Sequence, residues 1–269
     1  MGALALGLAP VQSGLVRHAP RRADALARWF HARAAARLGI ELRITGTPNP
    51  ARPTLFVCNH VSYLDITVLG SVLETCFVAK GEVASWPAIG GLARLQRTLF
   101  VARRREAVAE QVAAIRDRLD AGDNLVLFAE GTSTDGRAVR RFKPALFAAL
   151  PADVAVQPMW IAYRALDGQP LDDKTRDRIA WHGEMTLLPH LLHLAGRRRV
   201  AVDIGFAPPF RVAGFPDRKA VASACESRVA KGLAAALATR PWWAGHGCPA
   251  RPLAEADLNP AGSGVIVVK

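Results

Sequence analysis

Two apolar runs about seventy residues apart each end in a cluster of small and polar residues. Thr54–Cys58 is followed by the polar segment 59–65, and residues 124–128 are followed by the segment 129–133. Short continuous apolar runs that are bounded by turn residues predict buried strands. Because sites in α/β sheets form at the carboxyl ends of the strands, both polar segments are predicted to lie at one functional edge.

The rest of the chain alternates between helical and strand-like segments. Further strands are predicted at residues 41–45, 75–79, 98–102, 154–163 and 199–206. Helices are predicted at residues 21–38, 62–73, 106–119, 142–150, 185–194 and 220–239. This alternation predicts the α/β class, with a mixed, largely parallel sheet flanked by helices and an N-terminal amphipathic helical segment.

Length and composition favour one large domain with appended segments. A chain of 269 residues with 51% apolar residues can bury a substantial core, which excludes disorder. The predicted division is a membrane-associating helical segment at 1–45, a catalytic domain at 46–240 and a C-terminal tail at 241–269. The tail has no apolar periodicity.

The net charge of +12 predicts an anionic partner, which is a nucleic acid, a membrane surface or a phosphorylated substrate. No nucleic-acid-binding motif accompanies the charge, so the nucleic-acid hypothesis is the remote one. The four cysteines form no C-x-x-C pair and show no metal spacing with the histidines, which predicts a reduced compartment without structural disulfides or zinc.

The N-terminal region has two interpretations. No uncharged apolar stretch is long enough to span a bilayer, and residues 1–16 lack the basic start and cleavage site of a signal peptide. The segment 21–38 places Leu26, Trp29 and Phe30 opposite several arginines, which suits an anionic membrane surface. The same pattern is typical of a surface helix that packs on the catalytic domain.

His60 and Asp65 are the candidate catalytic pair. A histidine with a carboxylate to orient it can activate a hydroxyl or a thiol. Residues five apart on a straight helix are separated by about 140°, so the pair requires the chain to turn between them. Ser62 and Asp65 also match a capping box, in which Asp65 would only stabilise the helix N-terminus.

Four blocks of sequence carry a family resemblance. Residues 59–65 match N-H-x-x-x-x-D and residues 128–132 nearly match F-P-E-G-T, while residues 99–103 form an apolar strand ending in arginine and residues 156–159 a further short block. In this order the first, third, second and fourth blocks resemble the bacterial glycerolipid acyltransferases that acylate 1-acylglycerol-3-phosphate. Ala129 replaces the family's proline, and Arg97 stands where a glycine is usual. Residues 132–137, 142–147 and 181–185 are similar to a branch that includes lyso-ornithine lipid acyltransferases.

The resemblance implies direct acyl transfer from a thioester to a lipid hydroxyl. His60 takes the proton from the acceptor hydroxyl, and Asp65 holds the imidazole and stabilises its charge. No covalent acyl-enzyme is implied, and neither Ser62 nor a cysteine lies in a nucleophile elbow.

Most of the implied substrate-binding residues lie within the third and second blocks. Arg103 is the first candidate to hold the acceptor's phosphate or carboxylate, although it also belongs to a run of three arginines that could simply be solvated. Backbone donors at Glu130, Gly131 and Thr132 can approach an anionic group. Lys143 is a weaker candidate, since most lysines near a helix start are merely exposed.

The expected function is therefore that of a lysolipid O-acyltransferase. The acceptor expected first is 1-acyl-sn-glycerol-3-phosphate, whose acylation gives phosphatidic acid, and the alternative acceptor is lyso-ornithine lipid. A non-catalytic lipid carrier is a further possible function. The resemblance implies no cofactor and no metal, with acyl-CoA or acyl carrier protein as the donor substrate. The expected partners are membrane lipids and an anionic bilayer surface, at the cytoplasmic face of the inner membrane and bound peripherally.

Overall fold

The structure is a computed structural model that describes residues 2–86, 89–101, 108–148, 150–183, 185–186, 189–190, 194, 199–243 and 266–268. Its strands are β1 (Ile40–Thr45), β2 (Thr54–Cys58), β3 (Cys76–Lys80), β4 (Leu99–Val101), β5 (Leu125–Phe128), β6 (Ala155–Leu166), β7 (Gln169–Pro170), β8 (Val200–Phe206), β9 (Phe210–Arg211) and β10 (Ile266–Val268). Its α-helices are α1 (Gly2–His18), α2 (Pro20–Arg37), α3 (Leu64–Val72), α4 (Ile89–Leu95), α5 (Val108–Asp120) and α6 (Arg218–Ala238).

The strands form one mixed sheet in the order β10-β1-β8-β6-β2-β5-β3-β4, with β7 and β9 paired to β6. The path from β6 through β2, β5 and β3 to β4 is parallel, and β1 is parallel to β8. The pairs β6–β8 and β1–β10 are antiparallel. The predicted α/β fold with a largely parallel sheet is confirmed.

β2 is fully buried because helices cover both faces of the sheet. Phe56 and Cys58 belong to the apolar cluster on the α3 face. Leu55 and Val57 point the other way and join the cluster that α5 and α6 cover. Alternate side chains of a strand point to opposite faces, so a continuous apolar run is what a strand buried on both sides requires.

Some elements differ from their predictions. The helix predicted at 142–150 is reduced to a 3₁₀ turn, Pro144–Phe147. β10 was missed in the tail, where it pairs with the edge of β1. β1 itself, which the predicted boundary at residue 45 places in the N-terminal segment, lies within the sheet. Of the helix predicted at 185–194, the structure describes only part, and residues 189–190 and 194 are helical.

α2 packs on α3, the helix that carries Asp65. A Cβ placed on Gly70 of α3 would lie 2.7 Å from Cδ2 of His31, so the absence of a side chain at this position lets the two helices approach closely. The His31 ring also bonds through Nε2 to Oε1 of Gln96, at 2.5 Å. The N-terminal helices are therefore built into the domain rather than merely attached to it.

Arg97 reinforces this attachment from a strained position. Its φ of 58° lies in the left-handed region that favours glycine, which gives a physical reason for a glycine at this position in the resembling family. Here the guanidinium donates to Asp24 of α2 at 3.0 Å and to both carboxylate oxygens of Asp123 at 2.8 and 2.7 Å. Without this cation, two buried carboxylates would raise the free energy of the folded state. The contacts of the Arg97 guanidinium avoid that cost and thereby offset the strain of its backbone.

Acid is expected to weaken the folded state through His31. Burial lowers the pKa of His31 to about 4, whereas an unfolded histidine titrates near 6.5. The unfolded chain therefore gains a proton first, and stability falls as the pH drops from about 6.5 to 4, by about 3 kcal/mol in total. Urea unfolding of His31→Gln should lose this part of the pH dependence. His18→Gln, at the exposed end of α1, should retain it; equal dependence in both variants would contradict the assignment.

Candidate active site

Asn59 fastens the end of β2 to β6. Its buried side chain donates through Nδ2 to the carbonyl oxygen of Ile161 at 3.0 Å, and its Oδ1 accepts the Ile161 N–H at 2.9 Å. This pair continues the strand-to-strand hydrogen bonding with a side chain after β2 has ended. The first residue of the N-H-x-x-x-x-D segment thus fixes the point at which the chain leaves the sheet, immediately before His60.

His60 and Asp65 lie in direct contact. The distance from Nδ1 of His60 to Oδ2 of Asp65 is 2.7 Å. α3 begins at Leu64, so Asp65 lies in its first turn and the chain bends between the two residues, which is the condition that the spacing required. The His60 side chain is 21% exposed and that of Asp65 is fully buried. Because Nδ1 faces Asp65, Nε2 is the ring nitrogen positioned to face a substrate.

Asp65 also stabilises the start of α3. Its Oδ2 accepts the N–H groups of Val61 at 2.8 Å and Ser62 at 3.2 Å, as a capping carboxylate would. The N-cap residue is however Tyr63, and within the described part of the chain the buried hydroxyl of Ser62 has no hydrogen-bond partner. The capping-box alternative is therefore only half formed, because Asp65 accepts the Ser62 N–H while the Ser62 hydroxyl does not return the bond. One carboxylate serves both the helix start and the histidine.

The second oxygen of Asp65 is held from β6. The hydroxyl of Tyr163 donates to Oδ1 at 2.8 Å. The His60 ring stacks on Phe128 at the end of β5, with centroids 4.1 Å apart and planes at 18°. The histidine is thus held by a flat apolar surface and by a hydrogen bond at Nδ1.

Glu130 turns its carboxylate inward and joins the two motif segments. Oε1 accepts the backbone N–H of His60 at 2.9 Å, and Oε2 accepts that of Arg140 at 3.0 Å. Burial raises the pKa of Glu130 to about 7. Glu130 therefore contributes to the site by positioning the backbone of His60, a role that the sequence did not suggest.

Gly131 and Lys143 lie together beside this loop. Gly131 has a φ of 70°, and a Cβ there would lie 2.5 Å from Nζ of Lys143. A side chain at 131 would meet only the flexible end of this exposed lysine, so the positive φ is what favours glycine at this position. The next hydroxyl, of Thr132, donates to the Ser133 carbonyl at 3.5 Å. Arg103, the first candidate for the acceptor's anion, lies outside the described residues.

The segment that begins at Trp181 is fixed to both motifs. Its N–H donates to the Val61 carbonyl at 2.9 Å, and its carbonyl accepts the Ser133 hydroxyl at 2.5 Å. Thr134 returns to the first motif through its N–H, which donates to the His60 carbonyl at 2.9 Å. Segments that are distant in sequence are thereby assembled around the His60–Asp65 pair.

Comparison with known proteins identifies the family. Residues 41–162 match the family model described as Acyltransferase. The chain is 40% identical over 249 residues to the lyso-ornithine lipid O-acyltransferase of Brucella abortus, covering 89% of this chain and 93% of that protein. The chain belongs to the acyltransferase family. A second lyso-ornithine lipid O-acyltransferase, from Rhizobium meliloti, is 38% identical over 245 residues, covering 88% of this chain and 84% of that protein.

More distant relatives of this acyltransferase are named for a different acceptor substrate. The 1-acyl-sn-glycerol-3-phosphate acyltransferase of Neisseria gonorrhoeae is 28% identical over 202 residues, covering 73% of this chain and 75% of that protein. The crystal structure of the LPA acyltransferase PlsC from Thermotoga maritima matches with a TM-score of 0.61 and 21% identity, covering 88% of this chain and 90% of that chain. This last likeness establishes the shared fold.

The protein groups next to His60 are unsuited to act as the acyltransferase's own nucleophile. Cys58 is completely buried, and burial raises the pKa of its thiol well above the usual value. Ser62 is also completely buried, and its hydroxyl contacts no base among the residues that the structure describes. Within the described ranges, no cluster of three or more His, Cys, Asp or Glu side chains is placed to hold a metal ion.

Proposed function

We propose that this acyltransferase moves a fatty acyl group from an acyl thioester to the free hydroxyl of a lysolipid, with lyso-ornithine lipid as the acceptor. The observation that carries the proposal is the 2.7 Å contact between His60 and the buried Asp65, with the ring partly open to substrate. The relatives that are 38–40% identical over most of their length support this acceptor. They favour lyso-ornithine lipid over 1-acyl-sn-glycerol-3-phosphate, which was the first acceptor expected from the sequence. The 28% identical relative keeps 1-acyl-sn-glycerol-3-phosphate as the second candidate acceptor.

The proposed chemistry uses the acceptor hydroxyl as the nucleophile. Nε2 of His60 takes the hydroxyl proton as the oxygen attacks the thioester carbonyl carbon. The tetrahedral intermediate collapses with cleavage of the carbon–sulfur bond, and the proton leaves with the thiol. Asp65 keeps the proton of the neutral ring on Nδ1 and stabilises the imidazolium that forms transiently. Acyl-CoA or acyl carrier protein supplies the thioester.

The acceptor's anionic group is proposed to bind near the turn at Gly131. Lys143 is exposed and lies over this glycine, which gives a cation at the rim of the site. The N–H of Gly131 donates to the Phe128 carbonyl at 3.0 Å, so the lysine, and not that backbone donor, supports the proposal at this turn. Arg103 follows β4, a strand of the same parallel set, and remains the first candidate for the charged contact.

Arg103→Ala is expected to raise the KM for the acceptor at least tenfold while changing the KM for the donor less than twofold. The guanidinium is proposed to bind a group that is present both before and during the reaction, so the loss should fall on binding. Arg103→Lys should recover only part of the affinity, because a point charge cannot reproduce the planar fork. Steady-state kinetics with each substrate varied separately make the measurement, and equal effects on both substrates would indicate a structural role.

Acceptor choice tests the proposed function itself. The purified protein receives a labelled acyl thioester, on coenzyme A or on acyl carrier protein, together with equal amounts of lyso-ornithine lipid and 1-acyl-sn-glycerol-3-phosphate. Label is expected in the ornithine lipid with the larger kcat/KM, and its rate of appearance should fall about 100-fold or more when His60→Ala replaces the wild type. Preference for the glycerophosphate would select the second candidate. Transfer to neither acceptor would overturn the proposal.

The N-terminal helices are proposed to hold the enzyme peripherally on an anionic bilayer, at the cytoplasmic face of the inner membrane. None of the described helices has the length and apolar character needed to cross a membrane. The large apolar side chains that are exposed in the described part all lie in α1, α2 and α4: Leu6, Val11, Trp29 and Leu92. Exposed arginines accompany them at 17, 21, 22, 33 and 37. Apolar side chains beside arginines suit the interface of an anionic membrane.

Binding to vesicles that contain anionic lipid is expected, and high salt should weaken it because each arginine near the surface contributes about 1 kcal/mol that salt screens. Leu6→Glu with Val11→Glu should release the protein further, as measured by vesicle sedimentation. This pair is a sharper test than deletion of residues 1–38, since α2 packs on α3 and its loss would expose the core.

The matched control for vesicle binding places two glutamates at Ala234 and Ala235, exposed positions of α6 on the other face of the sheet. It adds the same charge and should bind more tightly than the α1 variant. Equal release of both variants would mean that net charge alone controls binding. Binding that is indifferent to salt and to lipid charge would mean that apolar insertion dominates.

A further inference from the structure

Tyr163 reaches the catalytic pair from the centre of the sheet. It lies on β6, 98 residues after Asp65, in none of the four blocks that identify the family. The side chain is 3% exposed, and its hydroxyl lies 2.8 Å from Oδ1 of Asp65. No substrate can reach an atom enclosed in this way, so any effect on the reaction must act through Asp65.

The direction of the hydrogen bond is set by the protonation of the phenol. Burial, and after it the charge of Asp65, raise the pKa of Tyr163 well above its usual value. The phenol therefore keeps its proton and donates it to the carboxylate. The two oxygens of Asp65 thus have separate tasks, since Oδ2 receives His60 and two backbone N–H groups while Oδ1 receives Tyr163.

We propose that Tyr163 is a positioning residue, which holds Oδ1 of the buried Asp65 carboxylate and directs Oδ2 at Nδ1 of His60. The inference rests on the proposed roles of His60 and Asp65. A fully buried carboxylate is disfavoured by desolvation, and a charge-assisted hydrogen bond from a neutral donor offsets part of that cost without adding a second charge. The bond also fixes the rotation of the carboxylate, because its far oxygen is tied to β6.

Loss of the hydroxyl should change how the pair takes up protons. In Tyr163→Phe the carboxylate keeps its contact with His60 but loses the donor at Oδ1, so its negative charge is less well stabilised. The His60–Asp65 pair should then bind its first proton at a higher pH, whichever of the two residues carries it. Because the active form needs an unprotonated base, the acid limb of the pH–rate profile should move upward.

Other titratable groups surround the pair and must be separated from it. The described groups that interact with Asp65, His60 or Tyr163 are Cys58, Tyr63 and Glu130. Burial raises the pKa values of Cys58 and Tyr63 well above neutrality. Burial raises the pKa of Glu130 to about 7, so the acid limb has to be measured in a Glu130→Gln background as well.

The experiment measures kcat, KM and the pH–rate profile of Tyr163→Phe. The kcat is expected to fall about tenfold with each KM within twofold, the effect of losing one hydrogen bond to a charged group. The acid limb should rise by about half to one pH unit, in the Glu130→Gln background too. Tyr63→Phe is the matched control: Tyr63 is the other tyrosine of the chain, and its hydroxyl contacts Nδ1 of His190 instead of Asp65. It should leave the acid limb in place.

A double-mutant cycle shows whether Tyr163 acts through Asp65. In an Asp65→Asn background, Tyr163→Phe should cost less than about threefold, because the charge that it supports has been removed. 3-Fluorotyrosine at position 163 offers a second variant that keeps the ring and strengthens the donor, and it should move the acid limb downward. This substitution keeps the test available if the phenylalanine variant folds poorly.

An unmoved acid limb in both substituted forms, or the same loss of kcat with and without Asp65, would overturn the role of Tyr163. That failure is distinct from failure of the proposed function, which would show as transfer to neither acceptor by the wild type, or as full activity in His60→Ala and Asp65→Asn. A lower melting temperature of Tyr163→Phe with unchanged kcat and pH profile would assign the hydroxyl to stability alone and would also overturn the proposal.

Discussion

Replacement of His60 by alanine is expected to lower the rate of acyl transfer by about 100-fold or more, because a positioned general base contributes roughly that factor. The fold should survive. The His60 side chain is partly exposed and packs on Phe128, whereas the backbone of residue 60 is held by Glu130 and Thr134 through main-chain groups that alanine retains. Activity per folded molecule, with the melting temperature as the control, makes the measurement. A loss of less than about tenfold with the fold intact would remove His60 from the mechanism.

Asp65→Asn is expected to cost about 10²- to 10⁴-fold in kcat, the upper end being the loss known for the corresponding change in a Ser-His-Asp triad. The N–H groups of Val61 and Ser62 and Nδ1 of His60 all contact Oδ2, so the amide oxygen should take that position and the amide nitrogen should face the Tyr163 hydroxyl. The ring proton of His60 then stays on Nδ1, but the negative charge that stabilises the imidazolium is lost. The variant keeps the shape of the site and removes its charge.

The helix-capping interpretation of Asp65 makes a different prediction for the same variant. If the carboxylate served only the start of α3, Asp65→Asn would lower the free energy of unfolding and leave the rate per folded molecule unchanged. Parallel measurement of kcat and of urea unfolding separates the two roles. Both effects together are consistent with the contacts, since one oxygen of Asp65 receives His60 and two backbone N–H groups.

The parts of the fold that were predictable from sequence are those governed by local pattern. The boundaries of β2 agree with the predicted strand because a fully buried strand is a continuous apolar run that ends at polar residues. The turn between His60 and Asp65 was likewise predictable, since their spacing excludes a contact along a straight helix. Local pattern failed at residues 142–150, where an apolar segment forms only the 3₁₀ turn Pro144–Phe147.

The supporting contacts of the site depend on register between distant segments, which a single sequence does not show. Tyr163 meets Asp65 because β6 runs parallel to β2 in one particular alignment, with Cys58 opposite Met159. The inward carboxylate of Glu130 depends on the alignment of β2 with β5 in the same way. Arg97 could have been recognised, since an arginine at a position where a glycine is usual signals a positive φ with a compensating contact.

The requirement for the acceptor in thioester cleavage tests most directly whether the acceptor hydroxyl is the nucleophile. Wild-type protein is mixed with a labelled acyl thioester and rapidly quenched, first without and then with lyso-ornithine lipid. Without the acceptor, we expect no burst of free thiol equal to the enzyme concentration and no label on the protein, because Cys58 and Ser62 are buried and unactivated. With the acceptor, thiol and labelled lipid should appear together at equal rates. A stoichiometric burst without the acceptor, with the acyl label retained on the protein, would contradict direct transfer.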